Sequence, residues 1–352
     1  MKEYELTEAD CALCGRNDAK LMFVGKDKLH KKNGCFSVVR CNQCGLVYTN
    51  PRPTEETIQH FYPSDYVPYQ EENLVWRYLE VFSKKNKLSD KVKNDAKSVI
   101  LKHRYAYPLD FSLLYPNMMW FYLIINKMFL SYFKKVYYRI PRWVHGGRAL
   151  DFGCGAGAYL LMLQKLGWDV VGFDIAKIQS KYLGVHDVPV LSGSLDIADL
   201  KDNSFDLVTL WHSLEHTHQP LSVLKKMHNL LKRGGLICVE VPNNESCSRY
   251  LFGENWFPWE LPRHLYHFSP RTLKEMLSKA GFKDITIHHL RKKTILKSFR
   301  YWFEDRNISF DLEHSRIANC LITFIAGLFS LLRRSEIVFA SARKAGYESR
   351  RK

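Results

Sequence analysis

Cys11-Ala-Leu-Cys14-Gly15 and Cys41-Asn-Gln-Cys44-Gly45 form two Cys-x-x-Cys-Gly knuckles, with 26 residues between Cys14 and Cys41. Zinc takes four thiolates tetrahedrally; each knuckle supplies two, and the glycine permits the turn behind them. With every ligand position filled by protein, Cys11, Cys14, Cys41 and Cys44 predict a structural zinc ion that replaces a hydrophobic core in a small module. A second set of chemistry-bearing residues is Asp151-Phe-Gly153-Cys-Gly155-Ala-Gly157. Glycines there let the backbone turn sharply and approach a ligand where no Cβ would fit. Asp174 follows 23 positions after Asp151, where a carboxylate can accept hydrogen bonds from both ribose hydroxyls of an adenosine. The third set, Trp211-His212-Ser-Leu-Glu215-His216-Thr-His218, offers imidazoles that can take a proton near neutrality. A fourth runs from Trp256 to Phe268 and contains Arg263, His264 and Tyr266. Arg263 offers a planar fork suited to phosphate.

The elements that must hold these groups alternate between strand and helix patterns. Arg148 to Phe152, Asp169 to Phe173, Phe205 to Leu210 and Leu236 to Val241 read as strands. Tyr159 to Leu166, closed by Gly167, and Leu221 to Leu231 read as helices, and Ser269-Pro270 and Ala280-Gly281 as the start and stop of another. Such alternation implies a parallel sheet covered on both faces, with ligands beyond the carboxyl ends of its strands. The chain divides into a cysteine module and connector (1–70), a basic helical insert (71–146), the nucleoside-binding core (147–290) and a basic amphipathic helical tail (291–352).

Residues 147–287 resemble the class I methyltransferases that use S-adenosylmethionine. The resemblance rests on Leu150-Asp-Phe-Gly-Cys-Gly-Ala-Gly157, Gly172-Phe-Asp174, Ser204-Phe-Asp206-Leu-Val and Leu231-Lys-Arg-Gly-Gly235. It implies an α/β, Rossmann-like sheet of seven strands, one of them antiparallel, with S-adenosylmethionine over the strands' carboxyl ends. By the same resemblance Asp151, Gly153, Gly155 and Gly157 border the methionine moiety and Asp174 holds the ribose. Ser194 and Leu195 lie against the adenine, and His212 packs on the cofactor. The resemblance to enzymes with an acceptor-binding insertion after the strand Leu236 to Val241 implies that His264 and Tyr266 contact the substrate. Glu215-His216 resembles the pair that lines the acceptor site of sugar C-methyltransferases, which makes His216 the candidate general base and Glu215 its companion. A zinc ribbon, then Gly45-Leu-Val-Tyr48-Thr-Asn-Pro51-Arg-Pro53, then this core resembles a bacterial group that includes those sugar enzymes and proteins modifying cell-envelope saccharides. The chain departs from them in its long basic insert and in lacking their additional C-terminal sheet domain.

The formal charge of +16 is unevenly placed. Residues 71–148 carry 15 basic against 6 acidic side chains and residues 291–352 carry 14 against 6, while the ribbon and core are close to neutral. Both basic blocks contain apolar runs, Met118 to Phe133 and Ile317 to Leu332, the second ending at Arg333-Arg334. Sixteen residues are too few to span a bilayer but can lie in its interface. An apolar share of 46% excludes wholesale disorder. Paired cysteines and a polar N-terminus predict a cytoplasmic protein, peripheral on the inner membrane. The expected substrate is a saccharide or lipid-linked envelope precursor. An RNA methyltransferase and a binding module without chemistry are the alternatives, nucleic acid being disfavoured by the neutral ribbon.

Overall fold

The computed structural model describes residues 4–63, 98, 101–108, 139–175, 183–184, 186–193, 200–290, 294–308 and 316–346. Ser194, Leu195, the run from Met118 to Phe133 and most of the 71–146 insert lie outside the described residues. The strands of the N-terminal module are β1 (Leu6–Thr7), β2 (Ala19–Gly25), β3 (Phe36–Cys41), β4 (Val47–Thr49) and β5 (Arg52–Pro53). Those of the core are β6 (Arg148–Phe152), β7 (Asp169–Asp174), β8 (Val190–Ser192), β9 (Phe205–Trp211), β10 (Leu231–Pro242), β11 (Tyr266–His267), β12 (Lys283–Leu290) and β13 (Ile337–Arg343). The helices are α1 (Ala158–Lys165), α2 (Pro220–Leu230), α3 (Cys247–Phe252), α4 (Pro270–Lys279), α5 (Ile295–Glu304) and α6 (Arg316–Leu331). Hydrogen bonding orders the large sheet β12-β13-β10-β9-β6-β7-β8.

Two compact units emerge, and β9 contributes to both: residues 67–199 with 204–207, and residues 1–66 with 200–203 and 208–352. In the first, β6, β7 and β8 pair in parallel, and the interior of β6 is buried on both faces, as a parallel strand requires. Gly157, at φ 79°, caps α1, and a Cβ there would fall 2.2 Å from Leu183, so both backbone conformation and packing demand glycine. Gly167 ends the turn after α1 at φ 85°. The described ends of the insert are anchored here. Trp168 Nε1 donates to the Tyr107 hydroxyl (2.9 Å), which donates to the Pro141 carbonyl (3.2 Å), and the Tyr159 hydroxyl donates to the Arg139 carbonyl (2.7 Å).

In the second unit α4 opens on the expected cap. Ser269 Oγ accepts from Thr272 N–H, and Thr272 Oγ1 accepts from Ser269 N–H, a reciprocal capping box. The tail beyond residue 290 is not wholly helical. Its Ile337-Val-Phe-Ala-Ser-Ala-Arg343 run enters the sheet as β13, antiparallel to both β10 and β12, and supplies the single reversed strand implied by the resemblance. Ile337, Val338, Ala340 and Ala342 are all but fully enclosed there, so the tail buries apolar area that a free helix would leave wet.

The N-terminal module is joined to this unit. β2, β3 and β4 form a sheet whose fourth strand is β11, with Tyr266 opposite Tyr48 and His267 opposite Val47. Lys279 and Arg271 of α4 donate to the knuckle carbonyls of Leu13 (2.5 Å) and Cys44 (2.6 Å). Asp27 and Arg263, both fully enclosed, form a bidentate pair at 2.8 and 3.0 Å.

Candidate active site

The glycine loop leaves the carboxyl end of β6. Gly153, Gly155 and Gly157 all take positive φ, at 73°, 50° and 79°, conformations that side chains disfavour. Gly153 and Cys154 N–H both donate to the Phe173 carbonyl, and Gly155 N–H donates to Asp174 Oδ2 at 2.9 Å. Loop and acid are therefore one hydrogen-bonded unit. Asp151 and Asp174 are 2% and 5% exposed. Burial first, then these two carboxylates, push the Cys154 thiol well above its ordinary range. Two enclosed acids beside a loop of positive-φ glycines suit a ligand that brings positive charge and hydroxyl donors, as S-adenosylmethionine does.

A separate cluster follows β9 in the other unit. His212, at φ 55°, has Nε2 2.8 Å from Glu240 and Nδ1 3.3 Å from Glu215, so its ring bridges two fully buried carboxylates. Burial pulls the Glu215 pKa up, but the hydrogen bond and charge of His212 outweigh it, with help from His264 and His216, and Glu215 ends below its ordinary value. Its Oε2 is buried without a hydrogen-bond partner. His216 is held at Nδ1, 3.1 Å from the Arg263 carbonyl and 2.9 Å from the Tyr62 hydroxyl. A carbonyl only accepts, so the Arg263 contact favours the tautomer with the proton on Nδ1 and the lone pair on Nε2, whereas the Tyr62 hydroxyl can serve either tautomer. Burial, then His264 in T-shaped contact at 4.6 Å, push the His216 pKa down to about 4. That shift leaves the ring neutral at pH 7.

The remaining candidates are placed less as expected. Arg263 is a correction: its fork is taken by Asp27, with Nε 3.3 Å from Glu260 and Nη1 3.1 Å from the Phe61 carbonyl. With those donors spent and no exposure, it clamps the module instead of meeting a phosphate. His264 is 5% exposed and donates from Nδ1 to the Pro258 carbonyl at 2.8 Å. Tyr266 accepts from Arg52 at 2.6 Å and donates to the His218 carbonyl at 3.1 Å. It lines a cavity of about 590 Å³ with Arg52 and His218, around which Glu8, Asp10, Glu55 and Glu56 are set. Sequence reasoning missed Glu240, Tyr62 and Asp27. A lone glutamate in the apolar strand Leu236-Ile-Cys-Val-Glu-Val241 was the available signal for the first.

The cysteines meet as expected. Cys11, Cys14, Cys41 and Cys44 bring their Sγ atoms within 4.8 Å of one another, with Cys11–Cys44 at 3.3 Å and Cys14–Cys41 at 3.5 Å. Zinc–sulfur bonds of ~2.3 Å would set tetrahedral edges of ~3.8 Å, so the cluster is compatible with zinc. Each knuckle closes the same way. Gly15 N–H donates to the Cys11 carbonyl and Gly45 N–H to the Cys41 carbonyl, both glycines at φ 73°. Glu215, His216 and His264 also hold one ligand atom each within 4.8 Å.

A seven-stranded sheet whose β13 runs antiparallel to both neighbours, with a glycine loop hydrogen-bonded to Asp174, is the architecture of an S-adenosylmethionine-dependent methyltransferase. A family model for the methyltransferase domain matches residues 125–287. The ubiquinone biosynthesis O-methyltransferase of Ruegeria pomeroyi is 30% identical over 179 residues, 47% of this chain and 70% of the relative. The enzyme of the same name from Cereibacter sphaeroides is 29% identical over 184 residues, 48% and 72%. A solved S-adenosylmethionine-dependent methyltransferase from Archaeoglobus fulgidus aligns with TM-score 0.40 and 21% identity, covering 63% of this chain and 94% of that one. The chain belongs to the S-adenosylmethionine-dependent methyltransferases.

Proposed function

We propose that the protein methylates a hydroxyl oxygen of an amphiphilic cell-envelope precursor, a saccharide or lipid-linked molecule, with His216 as general base. The observation that carries this reading is the setting of His216: its Nδ1 lies 3.1 Å from the Arg263 carbonyl, a contact that favours the tautomer with its lone pair on Nε2. The relatives' names, which specify O-methylation, agree with an oxygen acceptor. S-adenosylmethionine supplies, when bound, a methyl group on a positively charged sulfur. The glycine loop and Asp151 would hold the methionine end of that ligand and Asp174 its ribose. His216 Nε2 would accept the proton of the substrate hydroxyl as that oxygen takes the methyl group the cofactor would supply. Glu215 Oε2, buried and unpartnered, orients the substrate by accepting a neighbouring hydrogen bond, and leaves the reaction unchanged. The four cysteines hold a structural zinc ion.

The acidic surround of the 590 Å³ cavity, Glu8, Asp10, Glu55 and Glu56, repels a phosphate backbone and disfavours the RNA reading. The test is transfer of isotope-labelled methyl from the cofactor into fractionated cell lipids, soluble saccharides and RNA. Label is expected in the lipid or saccharide fraction. His216→Gln should cut the rate about 10²–10⁴-fold while calorimetry finds cofactor affinity unchanged. Label in RNA would overturn the substrate class. An absolute requirement for an added divalent cation would turn His216 from base to ligand.

A further inference from the structure

Six large apolar side chains stand exposed on α3, on α6 and just beyond the end of α6. Phe324, Leu328 and Leu331 of α6 and the adjoining Leu332 are 66%, 43%, 80% and 67% exposed; Tyr250 and Leu251 of α3 are each 61% exposed. The α6 residues recur at intervals of four and three, which sets them on one face. The opposite face, with Ile322 and Ala326, is buried, and Ser330 Oγ donates to the His289 carbonyl beneath it at 3.2 Å. The exposed face is not a fraying end awaiting a core, since its helix is already seated.

Arg334 joins the two helices. Its carbonyl accepts from Cys247 N–H at 3.0 Å, its Nη1 donates to the Glu245 carbonyl at 3.2 Å, and its guanidinium lies 5.8 Å from the Tyr250 ring. Arg249 approaches the same ring at 4.7 Å. Tyr250 therefore sits between two cations, one end apolar and the other polar, the arrangement aromatic side chains adopt at a membrane–water boundary. Arg333 is exposed beside them.

We propose that this face docks on an anionic phospholipid surface. Phe324, Leu328, Leu331, Leu332 and Leu251 enter the headgroup–acyl boundary, and Arg249, Arg333 and Arg334 meet lipid phosphates. An α6 of 16 residues is ~24 Å long, short of a ~30 Å hydrocarbon core; among the described residues no helix is long and apolar enough to cross a membrane. The helix lies in the plane of the interface. Charge complementarity selects lipid over a second copy of the chain. A two-fold interface through this patch would bring the arginine cluster against its own copy, whereas anionic headgroups neutralise it. The inference goes beyond the methyl-transfer chemistry, and neither depends on the other.

The test is sedimentation of the zinc-loaded full chain with vesicles of phosphatidylcholine alone or mixed with phosphatidylglycerol. Binding is expected to the anionic vesicles and to weaken with salt. Arg333→Gln with Arg334→Gln should lower partitioning about 25-fold, roughly fivefold per charge. Leu331→Ser with Leu332→Ser should abolish pelleting while leaving the thermal midpoint and cofactor affinity unchanged, since both side chains are already exposed. Absence of pelleting with anionic vesicles would overturn the proposal. So would a concentration-dependent dimer that the two serine substitutions dissolve, because the face would then belong to a second copy.

Discussion

Asp27→Ala leaves a guanidinium charged and enclosed. Asp27 and Arg263 side chains are both 0% exposed, and the substitution removes contacts at 2.8 and 3.0 Å. Breaking one side of a buried pair costs about 3–5 kcal/mol. Arg263 keeps Glu260 at 3.3 Å and the Phe61 carbonyl at 3.1 Å, so the lower end applies, about 3 kcal/mol or roughly 150-fold in the folding equilibrium. Asp27 Oδ1 also accepts from Leu29 and His30 N–H. Asp27→Asn keeps an acceptor for that turn while removing the charge, and should fall between wild type and alanine. Removing both charges, as in Asp27→Leu with Arg263→Met, should recover most of the loss, because the desolvation penalty disappears with the pair. Urea denaturation followed by tryptophan fluorescence reads all four proteins. A loss below about 1 kcal/mol for alanine, or a double variant no better than the single, would show that the pair is not a coupled clamp.

The pH dependence follows from His216. Its folded pKa of about 4 lies below the ordinary 6.5, so the unfolded chain binds the proton first as pH falls. Stability contributed by this ring is full above 6.5 and declines through the window down to about 4, and His216→Gln should flatten that part of a urea-midpoint profile. The same shift moves the acid limb of methyl transfer to well below pH 6; a limb centred near 6.5 would refute the neutral, buried base. For the metal, elemental analysis should find one zinc per chain, lost with Cys14→Ser together with stability of the N-terminal module. Full zinc retention by Cys14→Ser would remove the four-thiolate assignment.

Local backbone demands were legible in the sequence. Glycine spacing announced the loop and both knuckles, because positive φ and close approach leave few other residue types available. Ser269-Pro270 announced α4 because capping is decided within four residues. What escaped depended on distant partners. Arg263 looked available for a phosphate until Asp27, 236 positions away, took its fork. Glu240 is a lone acid in an otherwise apolar strand; its meaning comes from His212, which a left-handed backbone turns toward it. β13 was masked by its setting in a basic tail. β10 begins at Leu231, well ahead of the expected Leu236, because the Lys344 ammonium holds the Leu231 carbonyl and Gly234 N–H donates to the Lys344 carbonyl.

These distant partners tie the cysteine module to the segment that holds His216. The knuckles fix β3 and β4, which pair with each other and, through β4, with β11. From the same module Asp27 holds the Arg263 side chain, and the Arg263 carbonyl, with Tyr62 of the connector, holds His216 Nδ1. A proton kept on Nδ1 is what leaves the lone pair on Nε2. Asp27 therefore helps to hold in place the segment whose carbonyl meets the proposed base.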